Sequence, residues 1–425
     1  MSDAGAIVAA ARRVIAGRPV VAALGGGADS AVACWAAVES GSEVRAVFVD
    51  HGLSGSHLLD RATEALSTRL RIVRTVLPGP VGHGPDLENR ARSIRHSLLL
   101  GHRNQGESVV TGHTRTDQAE TVLLQLLRGA GARGLSAMSE QDGTILRPLL
   151  AFSRSEIRAT AVAAGLPFAD DPANDDDGFT RNRLRAEVMP LLEAIRPGSE
   201  AAIARAARSL AADDGHLKKE AQAVPMFEDD GAVLLPLAAL AVVDRAVAAR
   251  AVLAALRRLG GDAGNGRDVD VALGAVATGR RRAQLSAGRL LEIEGPYLAI
   301  FSGGPLPPGE TAITIPGDVV FGTHRLRIGD PVACSGRGLA LDGSRLPGTL
   351  TVRAVRAGDR IAIRDGSKLV NDALAEAGIP ARVRPAWPVL VAGAKIAAVP
   401  GARVAWWARA TGGETLTLID ERVPG

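Results

Sequence analysis

Residues 25–30, Gly25-Gly26-Gly27-Ala28-Asp29-Ser30, carry the first recognisable chemistry of the chain. Three glycines let a backbone approach an anion closely, and a helix starting directly after them turns its N–H groups and dipole toward that anion. Ser30 adds a hydroxyl donor. Asp29 would repel a phosphate unless a cation stood between them, so its presence points to Mg²⁺ bridging a carboxylate and a nucleotide. A plain glycine turn in which Asp29 caps the helix is the alternative. A second group runs Gly112-His113-Thr114-Arg115-Thr116-Asp117-Gln118-Ala119-Glu120-Thr121. On a helix Asp117 and Glu120 lie one turn apart, so their carboxylates can converge on a cationic amine. Read plainly, they are early acids that favour the helix dipole. His113 would orient a nucleotide or satisfy a strand-end hydrogen bond. A third group, Glu88, Arg92 and Arg95, has helical spacing that puts all three on one face, as an exposed salt-bridge lattice also would. In Arg181-Asn182-Arg183-Leu184-Arg185 the three guanidiniums suit RNA phosphate or a triphosphate, or mark a basic helix start.

The elements that must position these groups alternate in type. Val20–Leu24 and Val44–Asp50 read as strands, as do residues 71–77 and 108–112; residues 28–39, 58–70, 86–103 and 116–128 read as helices. This alternation predicts a doubly wound α/β domain with a parallel sheet, on which ligands bind beyond the carboxyl ends of the strands. The unusual polar segments 25–30, 50–53 and 112–120 fall at those ends. The polar loop 170–178 is a candidate active-site flap. Residues 211–310 begin with Ala/Leu-rich helical runs and finish with short strands, residues 303–308 read as a linker, and the remainder is β-rich with one short helix at 368–377. Three domains are expected: a catalytic α/β domain at 1–210, a mainly helical middle domain at 211–310, and a β-rich α+β carboxy-terminal domain at 320–425.

Composition narrows the function. With 425 residues, 46% hydrophobic and 23% charged, the chain is an ordinary globular one, and no apolar run approaches the roughly 20 residues of a membrane helix. The amino-terminal residues do not read as a signal peptide, and a cytoplasmic location is expected. Cys34 and Cys334 are the two cysteines and form no CxxC pair, which argues against disulfide, structural zinc and iron–sulfur chemistry. Net charge is +4, but residues 321–425 hold 15 Lys+Arg against 9 Asp+Glu, a carboxy-terminal basic bias that suits a phosphate backbone.

Segment 25–30 resembles the SGGxDS phosphate loop of the N-type ATP pyrophosphatases, with Gly25 in place of the first Ser. Further blocks resemble the tRNA(Ile)-lysidine synthases in the same order: Asp50-His51-Gly52-Leu53; Glu88 through His96, with His96 where that family has Tyr; the run from His113 to Leu135, with Thr116 where the family has Asp; Arg147-Pro148-Leu149-Leu150; Arg154-Ser155-Glu156-Ile157; Asp171-Pro172-Ala173-Asn174; and 181–185. The match is dense to residue 190 and looser in the tail. The resemblance implies ATP binding by Gly25, Gly26, Gly27, Ala28, Asp29, Ser30 and His113, with Mg²⁺ on Asp29, and catalytic roles for Asp29, Arg92 and Asp117. It implies lysine binding by Asp117 and Glu120. Contacts to tRNA would come from Arg181, Arg183, Arg185, Lys368 and Arg384, with Arg382 and Arg403 as further candidates in the tail. Trp406 and Trp407 are expected to pack in a core rather than stack on bases.

The implied reaction adenylates O2 of the wobble cytidine in a tRNA(Ile) with a CAU anticodon, after which the ε-amine of L-lysine attacks C2. A homodimer is compatible with this reading. Two alternatives stay open: a catalytically degenerate RNA-binding paralogue, motivated by Gly25, His96 and Thr116, and a tRNA-modifying relative that uses another nucleophile. A thiolating relative would commonly use paired cysteines, which Cys34 lacks.

Overall fold

The computed structural model describes residues 3–53, 55–82, 87–170, 180–260, 264–330, 338–411 and 415–422. The chain separates into two compact units, Met1–His216 and Leu217–Gly425.

The first unit runs α1 Asp3–Ile15, β1 Val20–Leu24, α2 Ala28–Glu39, β2 Val44–Asp50, α3 Ser56–Leu70, β3 Arg74–Pro78, α4 Leu87–His102, β4 Ser108–Val110, α5 Arg115–Leu127, α6 Ala132–Leu135, β5 Gln141–Asp142, β6 Ile145–Leu146, α7 Arg154–Ala163, α8 Thr180–Arg183, a π-helical turn Leu184–Val188, α9 Met189–Ile195 and α10 Ser199–Ala221. The sheet order is β3-β2-β1-β4-β6-β5, parallel except for the β5–β6 pair. The period-two alternation of β1 sends Val20, Ala22 and Leu24 into a core shared with α1, α2 and α7, while Val21 joins Val47, Val49, Leu99 and Val109 on the other face. Both faces are covered, which is why the central strands read as continuous apolar runs. From β1 the chain passes to β2 on one side, and β4 pairs with β1 on the other. The crevice at their carboxyl ends is therefore the topological switch point, where such sheets bind ligands.

The second unit opens with a five-stranded antiparallel sheet, β7 Phe227–Asp229, β8 Ala232–Pro236, β9 Arg282–Gln284, β10 Leu290–Glu294 and β11 Tyr297–Phe301, in the order β7-β8-β11-β10-β9. Helices α11 Leu237–Ala241, α12 Arg245–Arg258 and α13 Gly266–Thr278 follow β8, and the Val, Leu and Ala residues of α12 and α13 pack on the sheet. The helical runs are thus bracketed by strands, because their apolar stripes need a sheet face to bury against.

The rest is β-rich. A five-stranded sheet joins β12 Thr311–Thr314, β16 Thr349–Ala354, β19 Pro388–Ala392, β20 Lys395–Val399 and β21 Arg403–Val404. A four-stranded sheet joins β13 Gly317–Phe321, β14 His324–Gly329, β15 Leu339–Asp342 and β22 Thr415–Arg422. The hairpin β17 Arg360–Ile363 with β18 Gly366–Leu369 leads into α14 Val370–Glu376, and all of these elements except β18 contribute to one core. Trp407 packs against that core, as expected, whereas Trp406 is 46% exposed with the Arg364 guanidinium 5.8 Å from its ring centroid.

Candidate active site

The loop after β1 is shaped by two close approaches. Gly26 has φ +83°, and a Cβ there would lie 2.7 Å from Leu59 Cβ, so α3 and the backbone angle both demand glycine. Gly112, just beyond β4, packs so closely on the start of α2 that a Cβ would sit 2.6 Å from the Asp29 carbonyl. The Gly25 N–H donates to Ser30 Oγ at 3.1 Å, and that hydroxyl donates to the Gly27 carbonyl at 2.9 Å, closing the loop on itself. Gly27 caps α2 with no side-chain acceptor, which suits a helix end that receives an anion.

Asp29 is mostly buried in the first turn of α2, and burial pushes its carboxyl up to about 6 against the pull of Arg154, whose Nε lies 3.3 Å from Oδ2. A desolvated carboxylate beside a phosphate cradle fits a hard cation. Among the described residues no three His, Cys, Asp or Glu side chains form a metal cluster, so Mg²⁺ on Asp29 would be completed by phosphate oxygens and water, its usual manner with nucleotides.

The helix α5 begins with a capping box. The Thr114 N–H and hydroxyl donate to Asp117 Oδ2 at 2.8 and 2.7 Å, while the Asp117 N–H donates to Thr114 Oγ at 3.3 Å. Oδ1 accepts from Arg154 Nη2 at 3.0 Å and Arg181 Nη2 at 3.2 Å. Burial alone would raise this carboxyl, but Arg154, Arg181 and the Thr114 amide outweigh it and hold it below the usual range. Glu120, with no solvent exposure, accepts from Arg181 Nε at 2.8 Å and from Arg185 at 2.7 and 3.1 Å. The two predicted amine-binding acids therefore hold arginines that the sequence placed equally well on phosphate. Ion pairing is what allows such acids to be buried at all.

His113 Nδ1 pairs with Thr111 Oγ at 2.8 Å. Burial pushes its pKa down to about 4, with Arg92, Arg147 and Arg181 reinforcing and Asp117 opposing, so the ring is neutral near pH 7. Arg92 is exposed on α4 and reaches this centre through its field on His113 and Arg147. His51 is buried and donates from Nδ1 to the Gly79 carbonyl at 2.7 Å, while Asp50 Oδ1 accepts the Gly52 N–H at 2.9 Å, making residues 50–53 a structured turn at the end of β2.

The remaining predicted residues make other contacts. Arg183 is exposed and pairs with Glu187 at 2.9 Å. In the second unit Lys368 pairs with Glu376, and Arg384 Nε donates to the Ile379 carbonyl at 2.8 Å. Arg382 is 3% exposed and pairs with Asp229 and Glu294, which removes it from any RNA-facing surface. Cys34 is buried, its thiol pushed up to about 12 by burial. Asp170, at the start of the predicted flap 170–178, pairs with Arg158 at 2.7 Å; residues 171–179, which include the rest of that flap and Asp171 to Asn174, together with the Glu88 side chain and Cys334, lie outside the described residues.

Three participants had no role assigned from the sequence. Arg154 bridges Asp29 and Asp117; Thr116 accepts the Arg154 N–H at 3.0 Å and donates to Glu200 Oε2 at 2.9 Å; and Glu200 also accepts from Arg115 Nε at 2.9 Å. The readable signal for Arg154 was the capping box Ser153 to Glu156 at the start of its helix. Glu200 carried no such signal.

Residues 7–192 match the PP-loop domain model, and residues 350–420 match the TilS substrate C-terminal domain model. The chain is 32% identical over 397 residues to a tRNA(Ile)-lysidine synthase of Thermus thermophilus, covering 90% of this chain and 69% of that one. It is 34% identical over 406 residues to a tRNA(Ile)-lysidine synthase of Symbiobacterium thermophilum, covering 83% and 82%. A solved U34-tRNA thiolase of Methanococcus maripaludis aligns with TM-score 0.42 at 18% identity, over 48% of this chain and 78% of that one.

Proposed function

Because the chain belongs to the tRNA(Ile)-lysidine synthase family, we propose that it uses ATP to ligate L-lysine to C2 of the wobble cytidine of a tRNA(Ile) with a CAU anticodon. One observation carries the site-level reading: Asp29, in the first turn after the phosphate-type loop, and Asp117 of α5 are both held by a single guanidinium, that of Arg154. The polyanionic and cationic substrates of a two-step ligation would thus be held side by side.

In the first step cytidine O2 attacks the α-phosphorus of ATP, an O–P bond forms, and the bond to the β-phosphate oxygen breaks to release pyrophosphate. The loop 25–27 and the first turn of α2 hold the phosphates by backbone N–H groups, with Ser30 setting the loop shape. When bound, Mg²⁺ on Asp29 supplies neutralising charge to the phosphates. Arg92, exposed on α4, would hold phosphate or the activated cytidine. In the second step the lysine ε-nitrogen, having lost its ammonium proton, attacks C2; the C2–N bond forms, the C2–O bond breaks and AMP leaves.

Asp117 and Glu120 recognise the amine as it enters, and the ammonium takes over positions that Arg181 and Arg185 hold in its absence. Displaced from the acids, these two arginines are free to meet RNA phosphate alongside Arg183, while Lys368 and Arg384 offer charge from the carboxy-terminal domain. Burial keeps His113 neutral, which fits a hydrogen-bonding role toward nucleotide rather than a charge.

The test is release of pyrophosphate and AMP from ATP with a CAU-anticodon tRNA(Ile) transcript, with and without lysine, followed by mass analysis of the nucleosides. Lysidine formed only when ATP, lysine and that tRNA are all present supports the reading. Binding of tRNA with neither product released defeats it.

A further inference from the structure

Arg154 opens α7 with its main chain held from several directions. Its N–H donates to Thr116 Oγ at 3.0 Å, and the Thr116 hydroxyl donates to Glu200 Oε2 at 2.9 Å. Ser153 and Glu156 form the capping box around the same turn. From this fixed root the side chain, one-third exposed, reaches Asp29 Oδ2 with Nε at 3.3 Å and Asp117 Oδ1 with Nη2 at 3.0 Å. Asp29 sits in the phosphate-type loop; Asp117 sits on the amine-facing helix.

We propose that Arg154 is a positioning residue that couples the two small-molecule substrates. It shares with Arg181 the neutralising of Asp117, and neutralises Asp29, while nucleotide is absent, and turns its guanidinium to the phosphates when nucleotide binds, which opens one position on Asp117 Oδ1 for the incoming amine. The inference rests on the preceding reading, in which ATP and lysine occupy these two places. A guanidinium prefers bidentate contact with phosphate oxygens, and a triphosphate brings more negative charge than either carboxylate. Asp117 Oδ2 is already saturated by the Thr114 amide and hydroxyl, and Oδ1 accepts from both Arg154 and Arg181, so the exchange opens one of the two positions on Oδ1 and the amine takes the other from Arg181. Glu200 fixes the Thr116 hydroxyl, and Thr116 holds the root of Arg154 while its tip moves. No covalent bond forms or breaks in this exchange. Because coupling is reciprocal, each substrate tightens the binding of the other.

The experiment measures lysine affinity by titration calorimetry on the full chain, with and without saturating magnesium α,β-methylene-ATP, whose α–β bridge cannot be cleaved. The wild type should bind lysine roughly 5- to 150-fold more tightly with the analogue present. Arg154→Ala should bind lysine equally in both conditions, and Arg154→Lys, whose point charge reaches one acid at a time, should keep only part of the ratio. A purely structural role would lower the thermal midpoint and leave the ratio intact, and that result overturns the proposal. So does a wild-type ratio of one in an enzyme that forms lysidine. A wild type that neither binds lysine nor forms lysidine overturns the parent reading along with it.

Discussion

Arg185 grips both oxygens of Glu120, at 2.7 and 3.1 Å, and the carboxylate it grips has no solvent exposure. Removing one partner of such a pair strands a buried charge, whereas removing both does not. Arg185→Ala should therefore lower unfolding stability by about 3 kcal/mol, the lower end for a broken buried pair because Arg181 still contacts Glu120. The double variant Arg185→Met with Glu120→Leu leaves Arg181 with Asp117 alone, and should regain part of that in urea titration while losing lysine binding. Equal stability losses in the two variants would show that the pair is not effectively buried.

Gly26→Ala meets two obstacles, φ +83° and Leu59 at 2.7 Å. The backbone penalty alone is about 1–2 kcal/mol, and the contact with α3 forces the loop to move as well. ATP affinity, followed by fluorescent nucleotide displacement, should fall at least tenfold. Gly25→Ser, which faces only Ser30 Oγ at 3.9 Å, should be tolerated.

Thr116→Asp supplies the carboxylate that the family has at this position. Here it places a second carboxylate against Glu200, whose Oε2 lies 2.9 Å from the present hydroxyl. The substitution should therefore reduce activity, and adding Glu200→Gln should recover it, with an interaction energy of about 1 kcal/mol or more in a double-mutant cycle. Additive effects would mean that the two positions do not meet.

His113 gives a pH signature. Its folded-state pKa of about 4 lies below its ordinary 6.5, so as acidity rises the unfolded chain takes up the proton first. The stability due to a neutral His113 is fully present above about 6.5 and is lost as pH falls toward 4. His113→Asn should flatten the stability-against-pH curve in that window, read by chemical denaturation at several pH values. An unchanged slope, or an imidazole seen by NMR to titrate near 6.5, would contradict the buried neutral ring.

Arg382 binds Glu294 and Asp229 from within the second unit and also donates to the Asp229 carbonyl at 2.9 Å. Arg382→Ala should cost about 3–5 kcal/mol of that unit's stability. Arg384→Ala should be milder in stability and weaken tRNA binding with a reduced salt slope. Loss of tRNA affinity from Arg382→Ala without any loss of stability would reverse these assignments.

What the sequence determined by itself is local. The alternation of strand and helix placed β1, β2, β4 and their helices to within a few residues, because periodicity and burial on two faces act over short spans. The glycine loop and the turn at 50–53 were legible for the same reason: φ preference, capping and short-range hydrogen bonds are written in adjacent residues. So was the one-turn spacing of Asp117 and Glu120. What those acids hold was decided by the tertiary structure. Arg154, Arg181 and Arg185 lie 37, 64 and 65 positions from their partner acids, and Glu200 lies 84 from Thr116. No spacing rule reaches that far, and a guanidinium satisfies a carboxylate or a phosphate equally well. Chain topology chose the carboxylates, since burying Asp117 and Glu120 against residues of α7 and α8 requires a cation for each.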